Sequence, residues 1–167
     1  MKGVSVIIAS AVIIVISVTA AFLALQYGTP AIDRSKEIML MQEIMLMQEA
    51  ESTLVNIDNT VKSVVEEGQG STRSLSITSS GGYYLIDTDN DEIFFSMDSL
   101  SQIVGVGVSK IENGINVTGD SGRVYLYLPF SYNITGGGEF GKGNYILVIR
   151  NDGYDSVNQK QMINIHI

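Results

Sequence analysis

The sequence contains no cysteine and no tryptophan, and it has only two prolines and one histidine among its 167 residues. Without cysteine, neither a disulfide framework nor a thiolate metal site can form. The single histidine, His166, leaves little material for histidine-based catalysis or for a zinc site. No convincing nucleophile–base arrangement is present either. We therefore expect that the protein is not an enzyme and needs no cofactor.

Positive charge is also scarce in this chain. Ten lysine and arginine residues stand against 18 aspartate and glutamate residues, which gives a formal net charge of −8. The basic residues form no patch or tail, and binding to the phosphate backbone of nucleic acids depends on such a concentration of positive charge. We therefore expect no nucleic acid among the partners.

Glycine and aromatic residues are scarce in the first part of the chain and frequent in the second. Fifteen of the 17 glycines fall at or after Gly68, and eleven of the 13 phenylalanine and tyrosine residues fall after residue 80. Glycine-poor, periodic sequence favours helices, whereas glycine-rich turns between aromatic runs favour strands. The composition predicts a helical part over 4–67 and a β-rich globular domain over 68–167.

The longest uncharged run extends from Val4 to Tyr27. As a helix it would be ~36 Å long, which is enough to cross a hydrocarbon core of ~30 Å. No small-residue cleavage site of the secretory type follows it, so the run predicts a retained, transmembrane-like helix. Lys2 is the only charge before it and favours an N-terminus on the cytoplasmic side.

A second helical segment is predicted after a break near 28–30. Gly28 and Pro30 interrupt the first helix, Thr29 is a suitable N-cap for the second, and Gly68 ends it. Apolar residues then recur in steps of three and four, so they share a face that can pack on the chain's own β domain. This stripe comprises Met47, Ala50, Leu54, Ile57, Val61 and Val64.

The hexapeptide Glu-Ile-Met-Leu-Met-Gln occurs twice in tandem, over 37–42 and 43–48. Six helical residues bring the chain about 240° around the axis, so the second copy does not stack on the first. Together the apolar residues cover nearly every side, and a helix that is apolar all round must be surrounded. Methionine fills irregular gaps between helices. The repeat therefore predicts contacts with helices of other copies, rather than a stalk that lies on a membrane surface.

From Ser71 onward, short runs rich in apolar residues alternate with turn signals about every ten residues. This spacing predicts an antiparallel β-sandwich or a barrel-like domain. The expected fold class is α+β, with a long, kinked, transmembrane-like N-terminal helix followed by the antiparallel domain. The predicted strands are 73–78, 83–87, 92–97, 102–108, 114–119, 123–130, 144–151 and 161–167.

Three short motifs in the β-rich part are similar to known sites. The alternating carboxylates of Asp87, Asp89 and Asp91 are candidate calcium ligands, but the later glycine and glutamate of an EF-hand loop are missing, which favours a solvated hairpin turn. The glycine-rich segment 136–143 lacks the hydroxyl residue of a phosphate loop and precedes a strand, which favours a hairpin loop. Asn116 and Asn133 begin the N-glycosylation sequons NVT and NIT.

Lys2 and Gly3 stand directly before an uncharged run with an early serine, and the helical part continues into a cysteine-free β domain. In these features the chain resembles a type IV pilin of the archaeal kind. The resemblance implies that residues 1–3 are a leader, which a class III signal peptidase removes between Gly3 and Val4. The glutamate usual at the fifth mature position of bacterial type IV pilins would fall on Ile8, which disfavours the bacterial kind.

The resemblance implies a structural subunit of an extracellular archaeal type IV pilus. Such a subunit is inserted in the cell membrane first, and the pilus assembly machinery then builds a helical homopolymer whose outer surface is the β domain and serves adhesion. Two alternatives stay open: an archaellin-type subunit of a motility filament, and a non-polymerising, single-pass membrane-anchored binding domain. The residues expected in the filament core are Ile8, Val12, Val15, Phe22, Ile38, Met39, Met41, Ile44, Met45 and Met47.

Overall fold

A computed structural model describes residues 17, 34–111 and 113–167 of this chain. Helix α1 is assigned to Lys2–Glu67, and its described part from Arg34 onward has 34 residues. The strands are β1 (Thr72–Ser79), β2 (Tyr83–Asp87), β3 (Glu92–Asp98), β4 (Ser109–Glu112), β5 (Ile115–Asp120), β6 (Arg123–Pro129), β7 (Asn133–Phe140), β8 (Gly143–Asp155) and β9 (Lys160–His166).

The chain divides into two compact units, Met1–Met41 and Gln42–Ile167. The first unit contains the N-terminal part of α1. The second contains the remainder of α1 and all nine strands. The boundary lies inside the tandem repeat, so that the first hexad belongs almost entirely to one unit and the second hexad to the other.

Within the second unit, one face of α1 packs against the sheet. Five of the six side chains that the steps of three and four placed on this face are fully buried, in one hydrophobic core with the inward side chains of the strands. Full burial of a valine, leucine or isoleucine side chain contributes about 1.5–3 kcal/mol, so this face fixes the helix to the sheet. The buried helical residues are Ala50, Leu54, Ile57, Val61 and Val64.

The nine strands form a single sheet in the order β1-β8-β9-β7-β2-β3-β6-β5-β4. Neighbouring strands are antiparallel except for β7 and β9, which pair in parallel. Strand β9 lies between β8 and β7, so it joins the β1–β8 pair to the six strands on its other side. The sheet is therefore mixed.

The predicted fold class is wrong. The strands form one mixed sheet instead of an antiparallel sandwich, because the apolar face of α1 provides the layer that a second sheet would otherwise supply. Among the described residues, no helix is long and apolar enough to cross a membrane. The break near 28–30 lies outside the described residues, as does the uncharged run apart from Ser17.

Asn151 fixes the end of α1 to the sheet, and it is completely buried. Its side-chain amide donates to the carbonyl of Val64 at 3.2 Å, and its side-chain oxygen accepts from the N–H of Gly153 at 3.0 Å. Its backbone N–H donates to the carbonyl of Ser71, and its backbone carbonyl accepts from Gly70. All four polar groups of this buried residue are thus hydrogen-bonded, as burial of an amide requires.

Candidate interaction surfaces

The second hexad is bound to the sheet domain through the carboxylate of Glu43. Its Oε2 accepts a hydrogen bond from the hydroxyl of Ser99 at 2.9 Å, and its Oε1 accepts one from the N–H of Leu100 at 2.9 Å. The N–H of Ser101 lies 3.3 Å from both oxygens. One helical carboxylate therefore satisfies the donors of the turn that follows β3.

A second helical carboxylate acts in the same way one and two-thirds turns later. Glu49 Oε1 accepts from the N–H of Ser80, in the turn between β1 and β2, at 2.6 Å. Between these two glutamates, Leu46 and Met47 are partly buried against the core. Met47, predicted to pack in a filament core, therefore contacts the core of its own domain.

The other apolar side chains of the repeat are exposed. In the first unit, Ile38 is 57% exposed and Met41 is 63% exposed, and Met39 and Leu40 are also exposed. In the second unit, Met45 is 68% exposed, and its neighbour Ile44 is exposed as well. Large apolar side chains that are exposed in such number are typical of residues that contact another molecule. We call these six residues the exposed repeat surface.

The remaining residues of the predicted pilin-like site lie outside the described part of the chain. They are Gly3 and Val4 at the predicted cleavage position, and Ile8, Val12, Val15 and Phe22 in the predicted filament core.

The acidic motif forms the turn between β2 and β3. Asp87 Oδ1 accepts from the N–H groups of Asp89 and Asn90, and the side-chain hydrogen bond from Asn90 lowers the pKa of Asp87. Asp91 binds elsewhere: its Oδ1 accepts from the N–H of Ile134 and its Oδ2 pairs with Lys160 at 2.7 Å. Across the described residues, no group of three carboxylate or histidine side chains is placed to hold a metal ion.

The glycine-rich segment 136–143 does not form the predicted hairpin loop. Most of it belongs to β7, and Gly141 and Lys142 connect β7 to β8, two strands that are separated by β9. At Gly136, where φ is +95°, an added Cβ would lie 2.3 Å from the carbonyl oxygen of Ile165. The glycine here permits close approach of β7 to β9, which is a packing role.

Four aromatic rings lie on the outward face of the sheet, over three adjacent strands. They are Tyr83 on β2, Phe94 on β3, and Tyr125 and Tyr127 on β6, and we call them the aromatic strip. The ring centroids of Tyr83 and Phe94 are 6.0 Å apart, those of Phe94 and Tyr127 are 6.0 Å apart, and those of Tyr125 and Tyr127 are 6.2 Å apart. The last two pairs are nearly parallel, at 23° and 22°.

The alternation along each strand explains why the strip faces outward. The inward neighbours of these residues, among them Tyr84, Phe95 and Leu126, are buried in the core. In the sequence, Tyr125 and Tyr127 already share one side of their predicted strand. Tyr83 and Phe94 could be added to them only once the register of β2, β3 and β6 was known.

The surroundings of the strip are more acidic than basic. A hydrogen bond to the carboxylate of Glu139 raises the pKa of Tyr83, and burial raises the pKa of Tyr127. Burial, followed by the charge of Asp87, raises the pKa of Glu92 at one end of β3. The described guanidinium at the other end, that of Arg123, is paired with Asp98 at 3.1 Å. The charge around this surface therefore disfavours a negatively charged partner and favours a neutral one.

The two sequons lie in strands. Asn116 is on the outward face of β5, where it stands opposite Tyr127 in the register of β5 and β6. Asn133 begins β7 and stands opposite Met162 of β9. The Thr135 hydroxyl of the second sequon accepts a hydrogen bond from Asn164 at 3.3 Å. Only the first sequon therefore adjoins the aromatic strip.

Three comparisons bear on what these surfaces do. No protein-family model, no curated protein and no solved structure matches this chain. Its function has to be inferred from the exposed repeat surface, the aromatic strip and the sequons.

Proposed function

We propose that this chain is a structural subunit of an extracellular filament of the archaeal type IV pilus kind, which polymerises with copies of itself through helix α1. The sheet domain forms the outer surface and serves adhesion or attachment. The partners are other copies of the chain, together with the membrane, the signal peptidase and the machinery that act before and during assembly.

The observation that supports the proposal best is the exposed repeat surface. Six apolar side chains within eight helical residues are exposed, whereas five of the six side chains of the apolar stripe later in the same helix are fully buried. Side chains such as methionine and isoleucine contribute about 1.5–3 kcal/mol each when they pass from water to an apolar contact. Helices of neighbouring copies supply such a contact, and methionine adapts to the gaps between them.

The two copies of the hexad have different surroundings, which also favours this function. Glu43, in the second copy, is bound by the domain, whereas the corresponding Glu37 in the first copy is exposed. The second copy thus attaches the helix to its own domain. The first copy is left to contact other molecules.

The experiment replaces three exposed side chains by glutamine, in the variant Ile38→Gln/Met41→Gln/Met45→Gln. Each residue is about half exposed, so we expect to lose about 1 kcal/mol per side chain from each subunit contact. That loss raises the concentration needed for assembly by roughly 100-fold. Filaments in cell-surface shear fractions are counted by negative-stain electron microscopy.

The control is Val157→Gln, a single change of an exposed apolar residue to glutamine outside the repeat, in the turn between β8 and β9, where Val157 is 86% exposed. This control should assemble as the unchanged chain does. Circular dichroism of both variants verifies that the sheet domain is folded. Normal filaments from the triple variant, or a chain that extracts as a monomer and never assembles, would refute the proposed function.

A further inference from the structure

The first sequon lies beside the aromatic strip, on the same face of the sheet. Along β5, Ile115 and Val117 are buried, while Asn116 and Thr118 point to the outward side. In the register of β5 and β6, Asn116 stands opposite Tyr127 and Thr118 stands opposite Tyr125. Side chains that are directly opposite in an antiparallel pair have Cβ atoms about 5 Å apart.

The register continues this row across the next two strands. Tyr127 stands opposite Phe94, and Phe94 stands opposite Leu85. Because adjacent strands are about 4.8 Å apart, the row from Asn116 to Leu85 extends over about 14 Å. A group attached to the side chain of Asn116 can therefore lie on a continuous row of apolar side chains across β6, β3 and β2.

We infer that an N-linked glycan on Asn116 lies along the aromatic strip and packs its sugar rings on Tyr127 and Phe94. A pyranose ring has a face of C–H groups that packs on an aromatic ring, and its hydroxyls lie at the edge. A neutral glycan fits a surface whose rim is mainly acidic, where a phosphate-bearing partner would be repelled. The covalent link holds the sugar beside the rings at high effective concentration, so a weak contact is sufficient.

An exposed apolar residue also lies on the other side of Asn116, which supports packing of the glycan on this face. Ile111 of edge strand β4 stands opposite Asn116 and is 74% exposed. The sequon is thus flanked by apolar side chains on both neighbouring strands. The second sequon differs, because Asn133 stands opposite Met162 instead of an aromatic residue. It is therefore an internal control in the same chain.

The inference rests on the extracellular location in the proposed function, because N-glycosylation requires that location. The full chain is expressed in a host that N-glycosylates sequons, and site occupancy is measured by mass spectrometry. We expect nuclear Overhauser contacts between protons of the first sugars on Asn116 and the ring of Tyr127, and none between the Asn133 glycan and the strip. We also expect the Asn116 glycan to raise Tm by roughly 3 °C.

The rise in Tm is measured as the difference between the unchanged chain and Asn116→Gln, and it should disappear in a Tyr127→Leu background. Phe94→Leu is a second test in case Tyr127→Leu does not fold. The difference between the unchanged chain and Asn133→Gln should be independent of both substitutions.

Three results would overturn the inference: an Asn116 that carries no glycan, an Asn116 glycan with no contact to the rings, and a rise in Tm that is unchanged by Tyr127→Leu and Phe94→Leu. Loss of filaments in Tyr127→Leu with the glycan effect intact would assign the strip to contacts between copies instead. Electron microscopy of the same samples separates the two proposals. If the glycan contacts the rings but no filaments form, only the proposed function is refuted. If filaments form but the glycan does not contact the rings, only the proposed packing of the glycan is refuted.

Discussion

The substitution Asn151→Asp changes one nitrogen to an oxygen in a fully buried residue and leaves the shape of the side chain intact. The bond from the N–H of Gly153 is retained, because an oxygen still accepts it. The bond to Val64 is lost, and an acceptor then faces the Val64 carbonyl oxygen at the 3.2 Å that now separates donor from acceptor. A lost partner in a buried site costs about 1–3 kcal/mol, and a buried carboxylate without a cation adds to this. We expect a loss of about 3 kcal/mol or more at pH 7.

Urea unfolding followed by circular dichroism measures this loss, with Asn59→Asp on the exposed side of α1 as the matched control. At low pH the new carboxyl group is protonated and can donate to Val64 again. Burial without a cation raises the pKa of this carboxyl group in the folded state, so the deficit of Asn151→Asp should be largest at neutral pH, shrink as pH falls through that raised pKa, and reach its minimum below the pKa of an unfolded aspartate. If Asn151→Asp is as stable as Asn59→Asp at pH 7, then Asn151 does not fix the helix to the sheet as described.

Two further predictions concern Glu43 and Tyr84. Glu43→Gln should destabilise the second unit by about 1–2 kcal/mol, because an amide cannot accept hydrogen bonds from all the donors of the turn after β3. The control is Glu37→Gln at the equivalent position of the first hexad, which should leave the free energy of unfolding in urea unchanged. Burial raises the pKa of Tyr84 from near 10 to about 12. The folded state thus holds this proton more tightly, and the stability it contributes is complete below pH 10 and is lost between pH 10 and 12, by roughly 3 kcal/mol. Tyr84→Phe should remove that part of the alkaline loss, and an identical pH dependence in both chains would refute it.

Seven of the nine strands could be predicted from the sequence, because their alternation and their turn signals agree. Strand β7 was missed because three consecutive glycines are typical of a turn. The strand needs at least one of them for a non-local reason, since Gly136 lies against the backbone of β9. Such a contact between segments far apart in the chain leaves no trace in the local pattern.

The sequence predicts a strand over 102–108, but the structure has no strand there. Its valines alternate as in a strand, yet the segment lies against the sheet with a single isolated bridge, between Val106 and Gly119. An added Cβ at Gly119 would lie 2.5 Å from the carbonyl oxygen of Val104. The segment thus lies over the backbone of β5, and the short polar strand β4 at the sheet edge follows it.

The candidate surfaces were predictable to different degrees. The amphipathic stripe of α1 followed directly from the spacing of its apolar residues. The apolar residues on nearly every side of the repeat predicted that other helices surround it. The sequence did not distinguish the two hexads, since they are identical. The hydrogen bonds of Glu43 and the partial burial of Leu46 and Met47 separate them, and both depend on where the sheet domain lies along the helix.

The position of β9 determines when the second unit can fold. This strand is the last of the nine in chain order, yet it lies inside the sheet, where its hydrogen bonds to β8 and β7 join the β1–β8 pair to the other six strands. During synthesis the apolar face of α1 therefore has no complete sheet to cover it until Lys160–His166 has been made. Contacts this distant in sequence also make folding slow. The second unit therefore cannot complete its fold before the last of its nine strands has been made.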